Sequence, residues 1–189
     1  MKVLTISGSL REEAFSTRLA EAAAGLAPEG VELSRYEGLE EIPGFNADLE
    51  SAVPEAVEDL REKIEEADAL LIITPEYNAG VPGQLKNAID WASRPHGESA
   101  LAGKPAAVLS SSPMPFGAIW ANQQIRKAFT ITGTPTVERE LAIGKIDEKI
   151  DDENRLTDES ARNDLIALLA ELNELVAVIA DQADEAVPA

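Results

Sequence analysis

The sequence contains no cysteine and only one histidine, His96. Without cysteine there is no disulfide, no thiolate metal site and no cysteine nucleophile, which fits a reducing compartment. The single histidine lies in a loop-like stretch, residues 94–98, and no histidine-bearing cluster of acids accompanies it. We therefore expect no metal site and no hydrolase chemistry of the serine–histidine type.

Long apolar runs are also missing. No stretch approaches the roughly 20 residues that a membrane-spanning helix needs. The N-terminal apolar run reaches Gly8 too early for a secretory signal. We therefore predict a cytoplasmic protein that does not enter a membrane. A length of 189 residues is enough for one continuous core, so we predict a single domain over residues 1–189.

Basic residues are scarce: 16 Lys and Arg stand against 35 Asp and Glu, a formal net charge of −19. Such a surface repels polyphosphates, which excludes nucleic acid as a partner. The acids are widely spread, and we interpret this as the surface of a protein from a high-salt cytoplasm; the alternative is an acidic protein adapted to ordinary salt.

The charge is unevenly distributed along the chain. Residues 69–137 carry three acids and five bases, a net charge of +2, which leaves −21 on the rest. A neutral-to-positive middle is what an anionic ligand requires. A segment that lies mostly in the core would show the same pattern, and the two explanations are compatible.

Strand-like and helix-like patterns alternate. Strands are predicted at 3–6, 31–33, 69–74, 106–109 and 135–137, helices near 16–26, 53–64, 82–91, 118–129 and 165–179, and a charged surface loop at 145–155. The alternation predicts a flavodoxin-like fold: a doubly wound, five-stranded parallel sheet in a three-layer α/β/α domain. In such sheets ligands bind beyond the carboxyl ends of the strands, so the loops after the first, third and fourth strands should form the site.

The loop after the first strand, residues 7–11, has the composition of an anion cradle. Backbone N–H groups converge at the following helix N-terminus, and the helix dipole favours negative charge. Gly8 permits close backbone approach, Ser9 and Ser16 offer hydroxyl groups, and Arg11 adds a charge-assisted donor. The alternative is a simple turn and helix cap. The glycine-rich dinucleotide fingerprint and the P-loop pattern are both absent.

The loop after the third strand, residues 74–83, contains two prolines and two glycines. These residues favour a rigid turn whose backbone N–H and C=O groups point outward. A flat ring such as isoalloxazine needs such backbone groups at its polar edge and an aromatic or apolar surface for its face. Tyr77 and the backbone of residues 82–83 can supply both.

Three blocks of sequence now form a recognisable set: Gly-Ser-Leu-Arg at 8–11, Pro-Glu-Tyr-Asn at 75–78, and Pro-Gly-Gln-Leu-Lys-Asn-Ala-Ile-Asp-Trp at 82–91. Together with Ala-Gly-Lys-Pro at 102–105 and a serine-rich turn at 110–112, the chain resembles the NADPH-dependent FMN reductase family, which includes quinone, chromate and azo-dye reductases. The resemblance implies bound FMN, NADPH or NADH as hydride donor and a small-molecule electron acceptor. It implies no catalytic side chain, because the flavin carries the chemistry.

The resemblance also implies roles for individual residues. Eight of them would contact the FMN: Ser9, Arg11 and Ser16 at its phosphate, Pro75, Glu76, Tyr77 and Asn78 along its ring, and Ser111 at the ring's other side. A homodimer or homotetramer is implied, in which a second subunit faces the helix that carries Lys86, Asn87 and Trp91.

Two segments depart from the family pattern. Ala14 and Ser16 stand where the family has serine and asparagine, which predicts a reduced affinity for the phosphate. Residues 113–118 are stiffer and bulkier than the paired glycines usual there, and we expect them to shape the substrate pocket. Arg94, just after the third predicted helix, is a candidate for the NADPH phosphates or a helix cap.

Three functions remain open on the sequence. The favoured one is a reductase that passes hydride from NAD(P)H through FMN to a quinone, free flavin, azo compound or metal oxyanion. A non-enzymatic FMN-binding electron carrier or redox sensor is the first alternative, and a relative that has lost flavin and serves in assembly is the second. The arginine in the first loop, together with the absence of the threonine- and serine-rich loop of flavodoxin carriers, favours the reductase.

Overall fold

The most apolar run of the sequence becomes the centre of a parallel sheet. The computed structural model describes residues 1–185. The sheet has the order β2-β1-β3-β4-β5, and every neighbouring pair of strands is parallel. Its strands are β1 (Lys2–Ser7), β2 (Glu32–Arg35), β3 (Ala69–Thr74), β4 (Ala106–Ser112) and β5 (Leu141–Gly144). All six residues of β3 are buried, as a central strand covered on both faces requires.

Five α-helices cover the two faces of this sheet. They are α1 (Phe15–Gly25), α2 (Glu55–Glu66), α3 (Gly83–Ala92), α4 (Ile119–Thr132) and α5 (Glu159–Glu185). Neighbouring side chains of a strand point to opposite faces. Leu70 and Ile72 accordingly pack with α2, α3 and α4, whereas Leu71 and Ile73 pack with α1 and α5. The predicted flavodoxin-like three-layer fold is confirmed.

Two local predictions are wrong. Residues 135–137 form only one bridge, between Ala106 and Thr136, and the fifth strand is β5 instead. Residues 110–112, predicted as a turn, are the end of β4, where Ser110 and Ser111 pair with β5. Sheet pairing, with both β3 and β5 at Ser110 and with β5 at Ser111, overrides the turn preference of serine there. The segment 145–155 is mostly unburied loop, as predicted, and two of its residues, Ile146 and Ile150, are buried.

The helix α3 does not present the implied residues to a second subunit. Trp91 is fully buried, and its indole N–H donates to the carbonyl of Pro43 at 2.8 Å. The Asn87 side chain accepts from the backbone N–H of Phe45 at 2.7 Å and donates to Pro43. Both residues hold the loop before α2, so only Lys86, exposed and paired with Asp90, fits the implied role.

Within residues 1–185, no helix has the length and hydropathy that a membrane span requires. Over the same range, no group of three or more Asp, Glu, His or Cys residues is arranged to hold a metal ion.

Candidate active site

Three loops meet at the carboxyl edge of the sheet: the first loop (residues 8–14), the second loop (75–82) and the third loop (113–118). Gly8, at the start of the first loop, is bound to β3, because its N–H donates to the carbonyl of Ile73 at 2.8 Å. A Cβ at Gly8 would lie 2.8 Å from Cδ2 of Leu85 and 3.4 Å from Cδ of Pro75, so the glycine lets the first loop lie close to α3 and to the base of the second loop. The hydroxyl groups of Ser9 and Tyr77 lie 3.4 Å apart across the same junction.

The first loop borders a cavity of about 320 Å³ that Ser9, Arg11 and Thr17 help to line. Arg11 is exposed, and its backbone N–H donates to Oγ of Ser9 at 3.3 Å. Ser16 is buried instead, and its Oγ accepts a hydrogen bond from Ser7 at 2.9 Å. Thr17 Oγ1 lies 3.0 Å from the same Ser7 hydroxyl. Ser16 therefore supports the cavity floor from beneath, and Thr17, which the sequence analysis missed, faces the cavity.

The charges around this cavity oppose one another. Arg35, also missed, lies on its wall but forms an ion pair with Glu37 at 2.7 Å. Burial and, after it, the neighbouring Asp59 carboxylate raise the pKa of Tyr36 on the same wall, so its hydroxyl stays protonated at physiological pH. Four carboxylates line the cavity: Glu12, Glu21, Glu37 and Glu40. Arg11 is therefore the main attraction for an anion in a predominantly acidic setting.

The second loop is built around a tight turn. Tyr77 and Gly80 exchange two backbone hydrogen bonds of 3.1 Å each, and the residues between them, Asn78 and Ala79, have φ angles of 53° and 58°. Tyr77 is 48% exposed, so about half of the residue is accessible to solvent or to a ligand. Asn78 is exposed at the tip of the turn, and Pro75 is half-buried at its base.

Glu76 turns away from this open face. Its Oε2 accepts a hydrogen bond of 3.0 Å from the backbone N–H of Ala121, in the first turn of α4. The side chain of Gln124, on the same helix, donates to the carbonyl of Ala79 at 3.0 Å and accepts from Val81 N–H at 3.3 Å. Gln124 could not be predicted as a site residue from the sequence, because no spacing rule links two segments that lie 45 residues apart.

The third loop is held by close backbone contact with β5. Gly117 has a φ angle of 60°, and a Cβ there would lie 2.7 Å from the carbonyl carbon of Ala142. A Cβ at Gly144 would overlap the carbonyl of Pro115. This rigid loop and the start of α4 present three large apolar side chains to solvent, which we name the aromatic wall: Met114 (67% exposed), Phe116 (64%) and Trp120 (46%). The rings of Phe116 and Trp120 lie 5.4 Å apart.

Ser111, at the end of β4, is buried, and its hydroxyl has no hydrogen-bond partner in residues 1–185. An unpaired buried hydroxyl is costly, and a ligand atom that reached it would remove that cost. The hydroxyl groups and the arginine of the first loop fit the phosphate of FMN, and the exposed Tyr77 of the second loop fits its ring. Ser9 and Tyr77 come together here, whereas Ser16 and Glu76 are engaged in contacts within the protein.

Arg94 does not point to a free phosphate site. Its guanidinium lies over the ring of Phe45 at 5.6 Å and its Nε is 3.6 Å from a carboxylate oxygen of Glu50. His96 is exposed in the following loop. Neither residue lies among those that line the cavity of the first loop.

This fold and this site define a flavin-dependent oxidoreductase of the flavodoxin-like class. The profile of the NADPH-dependent FMN reductase family matches residues 1–148. The chain therefore belongs to the NADPH-dependent FMN reductase family, with FMN and NAD(P)H as cofactors.

Individual relatives agree with this assignment. The chain is 41% identical over 160 residues to a quinone reductase of Pseudomonas putida, covering 84% of this chain and 86% of the relative. It is 43% identical over 166 residues to an NAD(P)H-dependent FMN reductase of Pseudomonas aeruginosa, covering 86% and 88%. Among solved structures, the flavoenzyme NAD(P)H:(acceptor) oxidoreductase FerB of Paracoccus denitrificans is similar with a TM-score of 0.81 and 34% identity, covering 95% of this chain and 97% of FerB.

Proposed function

We propose that the protein passes electrons from NAD(P)H, through FMN held between the three loops, to planar apolar acceptors of the quinone class. The aromatic wall carries this proposal. The rigid third loop, which directly follows β4, holds the aromatic wall in place. Ser110 of β4 pairs with Thr74, which lies at the base of the second loop. The relative from Pseudomonas putida is a quinone reductase, which supports the same class.

Each site residue has a role in holding the cofactor. Ser9 and Arg11 bind the phosphate, and Ser16 fixes Ser7 beneath it. Tyr77, Pro75 and Asn78 border the ring, and Ser111 forms a hydrogen bond to its polar edge. Bound FMN supplies two-electron transfer between the hydride donor and the acceptor. The side chains therefore position the reactants, and none has to move a proton, because the proton that a quinone takes up with the hydride can come from solvent.

The aromatic wall also ranks the acceptors. Quinones, free flavin and azo compounds are flat, and they can pack against Phe116 and Trp120 in offset or edge-to-face contact. A metal oxyanion such as chromate has no apolar face and meets the repulsion of a chain with a net charge of −19. We therefore place the planar acceptors first and the oxyanions last.

The proposal includes a cytoplasmic location and a homodimer or homotetramer, both expected from the sequence. Light scattering coupled to size-exclusion chromatography measures the number of subunits directly.

The test begins with the anaerobic absorbance spectrum of the FMN-reconstituted protein in concentrated salt, before and after NADPH. We expect rapid loss of the oxidised flavin band, and then its return on addition of a benzoquinone. A bound flavin whose band persists with NADPH would indicate a carrier or sensor. Absence of bound flavin would contradict the assignment of the site.

The acceptor class is tested by Phe116→Ala. We expect kcat/KM for a benzoquinone to fall about fivefold, since an aromatic contact contributes about 0.5–1.5 kcal/mol, and kcat/KM for chromate to stay unchanged. Ile131→Ala is the matched control, because Ile131 is an apolar residue at the far end of α4 that is 83% exposed. Equal losses with both acceptors would contradict selection by the aromatic wall.

A further inference from the structure

The second loop has a conformation that it cannot hold alone. Asn78 and Ala79 both have positive φ angles, a region that non-glycine residues enter rarely, alanine more so than asparagine. Such a conformation persists where the surrounding structure fixes it. The two backbone bonds between Tyr77 and Gly80 close the turn, but they do not fix its position relative to the sheet.

The first turn of α4 lacks an N-cap of its own. Ala118, which precedes the helix, has a φ angle of 63° and no side chain that could accept a hydrogen bond. The N–H groups of a first helical turn need partners from outside the helix. The Glu76 carboxylate supplies one from the second loop, by accepting from Ala121 N–H at 3.0 Å. Its negative charge also suits the positive end of the helix dipole.

Gln124 makes a second attachment one turn further along α4. Its amide nitrogen donates to the carbonyl of Ala79, and its amide oxygen accepts from Val81 N–H. Ala121 and Gln124 are three residues apart, so they lie on the same face of the helix. Contacts with α4 therefore hold the strained turn on both sides. Residue 76 makes one before the turn, and residues 79 and 81 make the others within and after it.

We propose that Glu76 and Gln124 form a clamp that fixes the second loop on α4, and that Glu76 is a positioning residue that does not contact the flavin. Because Trp120 precedes Ala121 on α4, the clamp also fixes the spacing between the second loop and the aromatic wall. The consequence for the cofactor rests on the function proposed above. The clamp itself consists of contacts within the chain, so it can be measured without FMN.

Four variants separate the clamp from a direct contact between Glu76 and the ring. Glu76→Gln keeps an oxygen acceptor for Ala121 N–H and removes the charge, whereas Glu76→Ala removes both. Gln124→Ala removes both bonds to the loop. Gln123→Ala is the matched control, because Gln123 is the exposed neighbour on the same helix and its side chain forms no hydrogen bond within residues 1–185.

The first measurement is the Tm of the flavin-free protein. Glu76→Ala and Gln124→Ala should each lower the Tm by about 2–4 °C, as loss of a typical hydrogen bond does in a chain of this size. Gln123→Ala should stay within about 1 °C of the parent protein. Glu76→Gln should lower the Tm by less than Glu76→Ala does, because it keeps the hydrogen bond and loses only the charge at the helix N-terminus. If Gln124→Ala and Gln123→Ala have the same Tm, the clamp does not exist.

The second measurement is the Kd of FMN and of riboflavin, followed by quenching of flavin fluorescence. Glu76→Ala and Gln124→Ala should weaken both ligands about fivefold, since loosening the loop affects the ring that they share. The double variant Glu76→Ala/Gln124→Ala, made in addition, should lose less than the product of the two single losses, because both side chains hold one loop. Glu76→Gln should bind within about twofold of the parent.

If Glu76→Gln loses as much affinity as Glu76→Ala while its Tm stays well above that of Glu76→Ala, the carboxylate contacts the flavin and the proposal is overturned. If the parent protein binds neither FMN nor riboflavin, the proposed function fails, and the Tm series still decides whether the clamp is present.

Discussion

The first and second loops lie side by side at the carboxyl edge of the sheet, yet they are held in different ways. The second loop is closed by two backbone bonds and attached to α4 by Glu76 and Gln124. The first loop offers hydroxyls and Arg11 beside a cavity with four carboxylates on its wall. The ring part of the site is therefore preorganised, whereas the phosphate part depends on a balance of charges. Preorganised contacts retain more of their binding energy, so we expect the ring to contribute most of the selectivity.

The phosphate half of this comparison depends most on Arg11. Removing its guanidinium in Arg11→Ala should weaken FMN about tenfold to thirtyfold, because charge-assisted hydrogen bonds contribute about 1.5–3 kcal/mol and exposure reduces this toward the lower end. Riboflavin lacks the phosphate, so its Kd should not change. Fluorescence titration of both ligands measures the contrast.

Arg162→Ala is the control for this change, since Arg162 is an exposed arginine on α5 that borders a different groove. It should leave both affinities unchanged. An equal loss of FMN and riboflavin affinity in Arg11→Ala would mean that the first loop contacts the ring as well, and the division between the two loops would then be wrong.

The ring half is tested by Tyr77→Ala. Loss of the exposed tyrosine ring should weaken FMN and riboflavin equally, by about fivefold, because an aromatic contact contributes about 0.5–1.5 kcal/mol. Tyr77→Phe keeps the ring and loses only the 3.4 Å contact with Ser9, so it should bind within about twofold of the parent. If Tyr77→Phe behaves like Tyr77→Ala, the hydroxyl group matters more than the ring.

The fold could be predicted because its signals are local. The apolar run of β3 and the helical spacing of the apolar residues around it depend only on residues close together in the sequence. The structure contains the strand and the helices that they predict. The fifth strand was misplaced because β5, Leu141–Gly144, is short and contains only one β-branched residue, Ile143, so its composition does not distinguish it from a loop. Residues 135–137 have a composition more typical of a strand. In the fold, however, they lie beside the amino end of β4 and form only a single bridge with it.

Site residues could be predicted where the residue type and its place after a strand determine the role. They were harder to predict where the role depends on a contact with a residue far away in the sequence. Arg11 and Tyr77 lie exposed at the expected edge because their loops follow strand ends. Ser16 and Glu76 were expected to contact a ligand, but their side chains form hydrogen bonds within the protein instead, with Ser7 and with the backbone N–H of Ala121. Only the folded chain brings Gln124 to the second loop and Arg35 beside the first.

The salt dependence of the FMN association rate is the smallest of the expected effects, but it separates the contributions of the two loops most clearly. With a net charge of −19, the protein repels the phosphate of FMN at long range, and the screening length falls from about 10 Å at 0.1 M salt to about 3 Å at 1 M. The association rate of FMN in stopped flow should therefore rise about threefold over this range. Riboflavin, which is uncharged, should associate at a constant rate. The contact with Arg11 is screened too, but it is short-range and acts mainly on dissociation. A decrease of the FMN association rate with salt would mean that Arg11 outweighs the acids around it, and the phosphate half of the site would then be as well prepared for its ligand as the ring half.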